Sequence, residues 1–350
     1  MIAPSDAVGT GTPLSLRFFG RELVLFRGES RLVLLDAICP HMGTHMGKNS
    51  ASYVVQDNIW IDGDAIRCPY HAWRFGPDGR CNHIPYHSGA IPEKAHIRSW
   101  PVAESMGLIF MWHDPEGGEP DYDVPYLAEW NDPAWVRWEL DDLATLPTHP
   151  VEVLDNMADV RHFDALHGTR IAYYRAEWDR HRYFQHMGSG DRTLAREGIV
   201  LEAHSNYEGP GVLVSRQDGA EYVIQFICHT PVEDGVIHLW HGVLYRGAGA
   251  VATAEEVAHA RTVQVMKRNA FTQDFEIWAN KDPAVQILML QSDGPFHKGR
   301  IWYSQFYSPR SEAAALQARV HGRALCRDLP GSREEAETIV ESAPALEIVK

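Results

Sequence analysis

Along residues 14–120 the apolar positions fall in short runs, each cut off by turn-forming residues. Leu14–Phe19 and Glu22–Phe26 alternate around Gly20-Arg21, Arg31–Leu35 follows Gly28-Glu29-Ser30, Gly76-Pro77-Asp78-Gly79 is a turn signal, and Gly107–Trp112 reads as a further strand. This pattern predicts a small all-β unit. The Pro-, Gly- and acid-rich stretch His113–Pro125 reads as a boundary. Beyond it the pattern changes. Residues 151–167 read as helix, and residues 195–246 as strands, with a hairpin of Glu221–His229 and Val236–Tyr245 around Glu233-Asp234-Gly235. Thr253 with Glu256 three residues on forms a capping box that opens a long helix, closed by Asp282-Pro283. The expected organisation is two domains, all-β over 14–120 and α+β over 121–350.

Composition narrows the class without naming a function. The 350 residues are 45% hydrophobic and 23% charged, which suits a globular protein with a core in each domain. No apolar run approaches the roughly 18 residues that span a bilayer, so no transmembrane segment is expected. The first residues, Met1-Ile2-Ala3-Pro4-Ser5-Asp6, show no basic-then-apolar secretory pattern, and the default expectation is the cytoplasm. A net charge of −15 argues against nucleic acid as a partner. Five cysteines are an odd number for a disulfide framework, whereas 19 histidines direct attention to metal-ligand clusters.

The strongest such cluster is Cys39-Pro40-His41 with Cys68-Pro69-Tyr70-His71. Two loops, each offering one thiolate and one imidazole, suit a Rieske [2Fe–2S] centre, in which both cysteines bind one iron and both histidines the other. A Cys₂His₂ zinc site is the other reading, but zinc fingers usually pair Cys with Cys and His with His along the chain. The long spacer Met42–Arg67 is expected to hold an enlarged hairpin around Ser50–Asp64. Cys81, Cys228 and Cys326 read as ordinary thiols.

A second cluster lies in Asp155–His167. Asp159 and His162 are three apart and would share a helix face, whereas His162 and His167, five apart, would diverge by about 140° on a regular helix. Joint binding therefore needs a local widening or a helix end, and Gly168 supports an end there. Two imidazoles and a carboxylate make a ferrous facial triad. Asp274 is the candidate acid, because Val263, Met266, Ala270 and Ile277 define an apolar stripe into which it falls; Glu276 is its rival.

With these motifs in hand, the chain resembles the oxygenase components of Rieske non-haem iron oxygenases over nearly its whole length, most closely the 3-ketosteroid 9α-hydroxylase group and related sterol desaturases. The phrases that carry the likeness are CPHMG at Cys39–Gly43, CPYHAWRFGPDGRC at Cys68–Cys81, DNMADVRHFDALHG at Asp155–Gly168, QDFEIWANK at Gln273–Lys281 and Asp293-Gly294-Pro295. The resemblance implies an N-terminal Rieske domain joined to a C-terminal helix-grip catalytic domain. It implies a [2Fe–2S] cluster on Cys39, His41, Cys68 and His71, Fe(II) on His162, His167 and Asp274, and O₂ as co-substrate. Asn156 and Asp159 would complete the catalytic set, Asp159 bridging His71 of one subunit to His162 of the next within a homotrimer. The partners would be a ferredoxin or an NAD(P)H-dependent reductase and a hydrophobic, steroid-like substrate, lined by residues such as Tyr222, Ile224, Phe226, Leu239, Trp240, Val243 and Phe296. Aromatic O-demethylation, and electron transfer without oxygenation, are the alternatives.

Overall fold

A computed structural model describes residues 1–189, 201–282, 287–290, 292–326 and 329. The chain divides into two units, one of Met1–Leu127 with Thr230–Asp234, the other of Ala128–His229 with Gly235–Lys350.

The first unit contains three small antiparallel sheets. One runs in the order Leu14–Phe18, Arg21–Arg27, Leu32–Asp36 and Ser99–Trp100. A second runs Ile61–Asp62, Ala65–Arg67, Arg74–Phe75 and Cys81–His83. In the third, Ala3–Pro4, left unassigned by the sequence pattern, pairs with Leu108–Met111, which also pairs with Val102–Ser105. Val24, Phe26, Val33, Leu35, Ile66 and Phe75 form a core common to the first two sheets, and Cys39 and Cys68 are buried in it. The stretch His113–Pro125 carries no helix or strand.

The spacer expectation needs correction. No enlarged hairpin fills Ser50–Asp64. A helical turn, Tyr53–Gln56, occupies its middle, because the Ser52 hydroxyl accepts the Val54 N–H and starts a helix. Only the short pair Ile61–Asp62 with Ala65–Arg67 is a hairpin.

The second unit is one antiparallel sheet ordered Trp135–Val136, Val236–Arg246, Val223–Glu233, Val212–Asp218, Leu201–Glu208, Arg182–Ser189, Ile171–Asp179 and Gly322–Leu325, with Asp141–Leu146 also pairing on Val236–Arg246. The expected hairpin forms; residues 195–200 of the predicted strand region lie outside the described residues. The long helix runs Ala254–Ala279 behind the predicted Thr253–Glu256 capping box; Pro283, its expected stop, lies outside the described residues. Its N-terminal half packs Ala260 and Val263 on Val136, Val223 and Val243. Its last turns pack Trp278 on Leu146, Val153, Ile237 and Leu239. A third core joins helices Pro150–Ala158, Phe296–Ser304 and Ala313–Val320 to the sheet through Trp178, Tyr183, Tyr207 and Trp302. Among the described residues no helix is long and apolar enough to cross a membrane.

Candidate metal centres

The two ligand loops of the first unit share one backbone design. In the first, the Cys39 N–H donates to Thr44 O at 2.9 Å and Gly43 N–H returns to Cys39 O at 3.0 Å. In the second, the Cys68 N–H donates to Trp73 O at 2.8 Å and Ala72 N–H returns to Cys68 O at 2.9 Å. Each turn has its fifth residue in the left-handed region, Gly43 at φ 73 and Ala72 at φ 57. The shared geometry turns each cysteine into the core and leaves each histidine nearer the surface.

The four side chains meet in two pairs. Cys39 and Cys68 act on one another in the core: their mutual influence lowers the Cys68 thiol and holds Cys39 well above the usual thiol range. The His41 and His71 rings stand edge-on, centroids 4.6 Å apart, and His41 stacks on Trp73 at 4.4 Å. His41 Nδ1 is buried with no hydrogen-bond partner. A buried acceptor without a partner is costly, so this nitrogen fits a metal ligand. Two thiols on one side and two imidazoles on the other match a two-iron cluster. Among the described residues the four do not close on a single-ion site, which disfavours the zinc reading. Cys81 and Cys228 are buried and Cys326 is partly exposed, and none of the three forms a disulfide.

In the second unit the helix Pro150–Ala158 stops where its C-terminal carbonyls are taken. Met157 O accepts from Tyr174 Oη at 2.7 Å and from Gln185 Nε2 at 2.8 Å. Gly294, at φ 126, lies so near the Ala158 carbonyl that a Cβ would stand 1.8 Å from its oxygen. The backbone turns extended at Asp159 and restarts as the short helix His162–Ala165. The expected continuous helix over 151–167, with Asp159 and His162 on one face, is therefore corrected. Asp159 instead braces the approach to the short helix, its Oδ1 accepting the Arg161 and His162 N–H groups at 3.0 and 3.1 Å. Burial raises the Asp159 pKa, but hydrogen bonding and attraction from His162 outweigh it and hold the carboxyl below its ordinary value.

This break lets the two histidines converge. His162, His167 and Asp274 each direct one ligand atom into a group whose members all lie within 4.8 Å of one another. His162 Nδ1 is 2.7 Å from Asp159 O, and His167 Nδ1 is 2.8 Å from Gln273 Oε1. Both partners are acceptors, so each ring carries its proton on Nδ1 and keeps the Nε2 lone pair free. His167 Nε2 lies 3.5 Å from Asp274 Oδ2. Burial lowers the His167 pKa, and the nearby Asp274 and Gln273 side chains more than offset it, leaving it raised. A buried carboxylate against imidazole lone pairs fits a divalent cation.

Asp274 is buried as expected, but on a different stripe. Met266 and Ile277 are exposed, whereas Ala260, Val263, Gln264, Asp274 and Trp278 are buried. Glu276 is exposed and outside the group. Asn156 Oδ1 accepts from Trp278 Nε1 at 3.4 Å, tying the first helix to the long one. Gln273, which orients His167, was missed. It stands inside the quoted Gln273–Lys281 phrase, but an amide shows its role only once its partner is known. Of the expected pocket-lining residues, Ile224, Phe226, Leu239, Trp240 and Val243 are buried and Tyr222 is exposed.

The Rieske [2Fe-2S] domain family matches residues 1–101, and the 3-Ketosteroid 9alpha-hydroxylase C-terminal domain family matches residues 111–307. A solved structure of Pseudomonas putida CBB5 NdmA with caffeine superposes with a TM-score of 0.72 at 15% identity, over 93% of this chain and 95% of that one. Fold and motifs together define a Rieske-type oxygenase carrying a Rieske domain. A probable 3-ketosteroid-9-alpha-monooxygenase oxygenase component from Rhodococcus rhodochrous is 32% identical over 85% of this chain and 76% of its own. The 3-ketosteroid-9-alpha-monooxygenase oxygenase component of Mycolicibacterium smegmatis is 31% identical over 87% and 81%. The chain belongs to the 3-ketosteroid 9α-hydroxylase oxygenase family.

Proposed function

We propose that this chain is the terminal oxygenase of a multicomponent, cytoplasmic system that hydroxylates a steroid-like hydrocarbon, fed with electrons from NAD(P)H by a reductase, directly or through a ferredoxin. The observation that carries the reading is the convergence of His162, His167 and Asp274, with both Nδ1 atoms already engaged, in a chain that also bears the paired Cys/His loops. Cys39, His41, Cys68 and His71 would hold the [2Fe–2S] cluster, and His162, His167 and Asp274 a ferrous ion. When bound, the cluster supplies single electrons and the ferrous ion activates O₂.

The protein's own part is orientation. Asp159 and Gln273 fix the tautomer and tilt of the two imidazoles. In a ring-shaped homotrimer Asp159, held below the ordinary carboxyl range by hydrogen bonding and attraction from His162, would bridge His71 of one subunit to His162 of the next. Asn156, bonded to Trp278, would hold the helix end that presents Asp159. The steroid skeleton rests on the activity for which the relatives are named.

The test is a metal count with EPR on anaerobically prepared protein, followed by turnover of a 3-ketosteroid with a surrogate reductase. Three irons per chain and O₂-dependent hydroxylation are expected. His162→Ala should lower the count to two, abolish turnover and leave the cluster spectrum intact. Two irons in the native protein, or loss of the cluster signal in the variant, overturns the assignment.

A further inference from the structure

The face of the second unit's sheet that looks toward the long helix carries a row of polar side chains across its middle. Register sets Gln185 opposite Ser205, Ser205 opposite Ser215, and Ser215 opposite Gln225. A 3.1 Å contact continues the row from Gln225 to His241, which register sets opposite Asp141. These residues come from six strands, and Gln185, Ser205, Ser215, Gln225 and His241 are buried. At about 4.8 Å per strand the row is roughly 24 Å long. Hydrogen bonds knit it: Ser205 to Ser215 at 2.8 Å, Gln217 to Ser215 at 3.2 Å and to Gln225 at 2.8 Å, and His241 to Asp141 at 2.9 Å.

The long helix sets two cations against this row, and only one of them is ion-paired. Lys267 Nζ donates to Gln217 Oε1 at 2.5 Å. Its neighbour Arg268 is paired with Asp141 at 3.0 Å. Among the described residues no carboxylate lies within ion-pair distance of Lys267, and Glu221, the acid that acts on it through space, is bonded to His259 at 2.8 Å. A partly buried ammonium with one neutral partner has two donors left over and a charge that is costly to desolvate alone. Burial accordingly pulls its pKa down. Lys267 is seven residues before Asp274, two turns along the same helix face, so the two are separated by roughly 10 Å along the axis.

We propose that Lys267, seated on Gln217, is a specificity-determining residue that anchors an anionic oxygen group of the substrate, and that the substrate class is a flat hydrocarbon bearing a carboxylate at the end remote from the carbon oxidised beside His162, His167 and Asp274. The inference rests on the oxygenase reading for the position of that carbon, and not on the choice of ring skeleton. It goes beyond the ketone substrates in the relatives' names, because an unpaired cation asks for a negative charge.

The experiment measures binding to the anaerobic holoenzyme by equilibrium dialysis. Probes are matched pairs, a side-chain carboxylic acid and its methyl ester, on a 3-ketosteroid skeleton and on a biaryl skeleton. The native enzyme should bind the acid more tightly than the ester. Lys267→Met, which keeps the aliphatic stem, should weaken the acid about 30-fold or more and leave the ester unchanged. Lys267→Arg should restore most of the preference, and Gln217→Leu should lose part of it. Equal binding of acid and ester by the native enzyme on both skeletons, equal losses for both in Lys267→Met, or no binding of any probe overturns the proposal. An acid preference confined to the biaryl pair supports Lys267 and overturns the steroid reading instead.

Discussion

At the scale of single residues, the candidate iron site depends on which nitrogen of each histidine is already occupied. Asp159 O and Gln273 Oε1 each take an Nδ1–H, and this frees both Nε2 atoms to face Asp274. Gln273→Leu removes one of these braces without touching a proposed ligand. Affinity for the ferrous ion, read by competition with a chromogenic chelator, should fall about 10- to 100-fold while the Rieske absorption stays unchanged. The cysteines and histidines themselves were legible in the sequence because their spacing is chemical information. Their orienting partners were not. Gln273 lies more than a hundred positions from His167, and Asp159 acts on His162 partly through its backbone carbonyl, which any residue could supply.

At the scale of elements, the sequence pattern located most strands and the long helix but misjudged two local features. The helix that begins at Pro150 looked continuous through His167 because apolar periodicity does not register a carbonyl claimed by distant side chains. Tyr174 and Gln185 take Met157 O, and Gly294 closes on Ala158 O. Gly294→Ala tests this. With a Cβ 1.8 Å from that oxygen and φ at 126, the variant should lose about 3 kcal/mol in urea unfolding, combining backbone strain with a steric clash. It should also loosen the turn that carries Asp159. The rotation of the long helix was misread for a related reason. Met266 and Ile277 are apolar yet exposed, whereas Gln264 and Asp274 are polar yet buried, so hydrophobicity alone gave the wrong face. At the helix start local chemistry was a sound guide: Thr253→Ala should cost about 1 kcal/mol, measured in the same denaturation.

At the scale of the whole molecule, two units each carry one candidate iron site, and the proposed function needs electrons to pass between such sites. Asp159→Asn keeps the side-chain shape and removes the charge. In a single-turnover experiment with the reduced protein, O₂ and substrate, the variant should retain both metals yet leave its cluster reduced; reoxidation at the native rate would remove Asp159 from the route. Sedimentation should show a particle of three chains. The paired loops add a consequence for how such a protein matures. Their turns are closed by backbone hydrogen bonds, and the spacer between them adds further ties, with Ser52 Oγ on Pro69 O at 2.6 Å and Trp60 Nε1 on Met46 O at 2.8 Å. None of these bonds involves a proposed ligand atom. Iron delivery therefore meets a receptacle whose scaffold is already tied, and stripping the iron should bleach the protein without melting its near-ultraviolet circular dichroism, unlike zinc fingers that collapse when chelated.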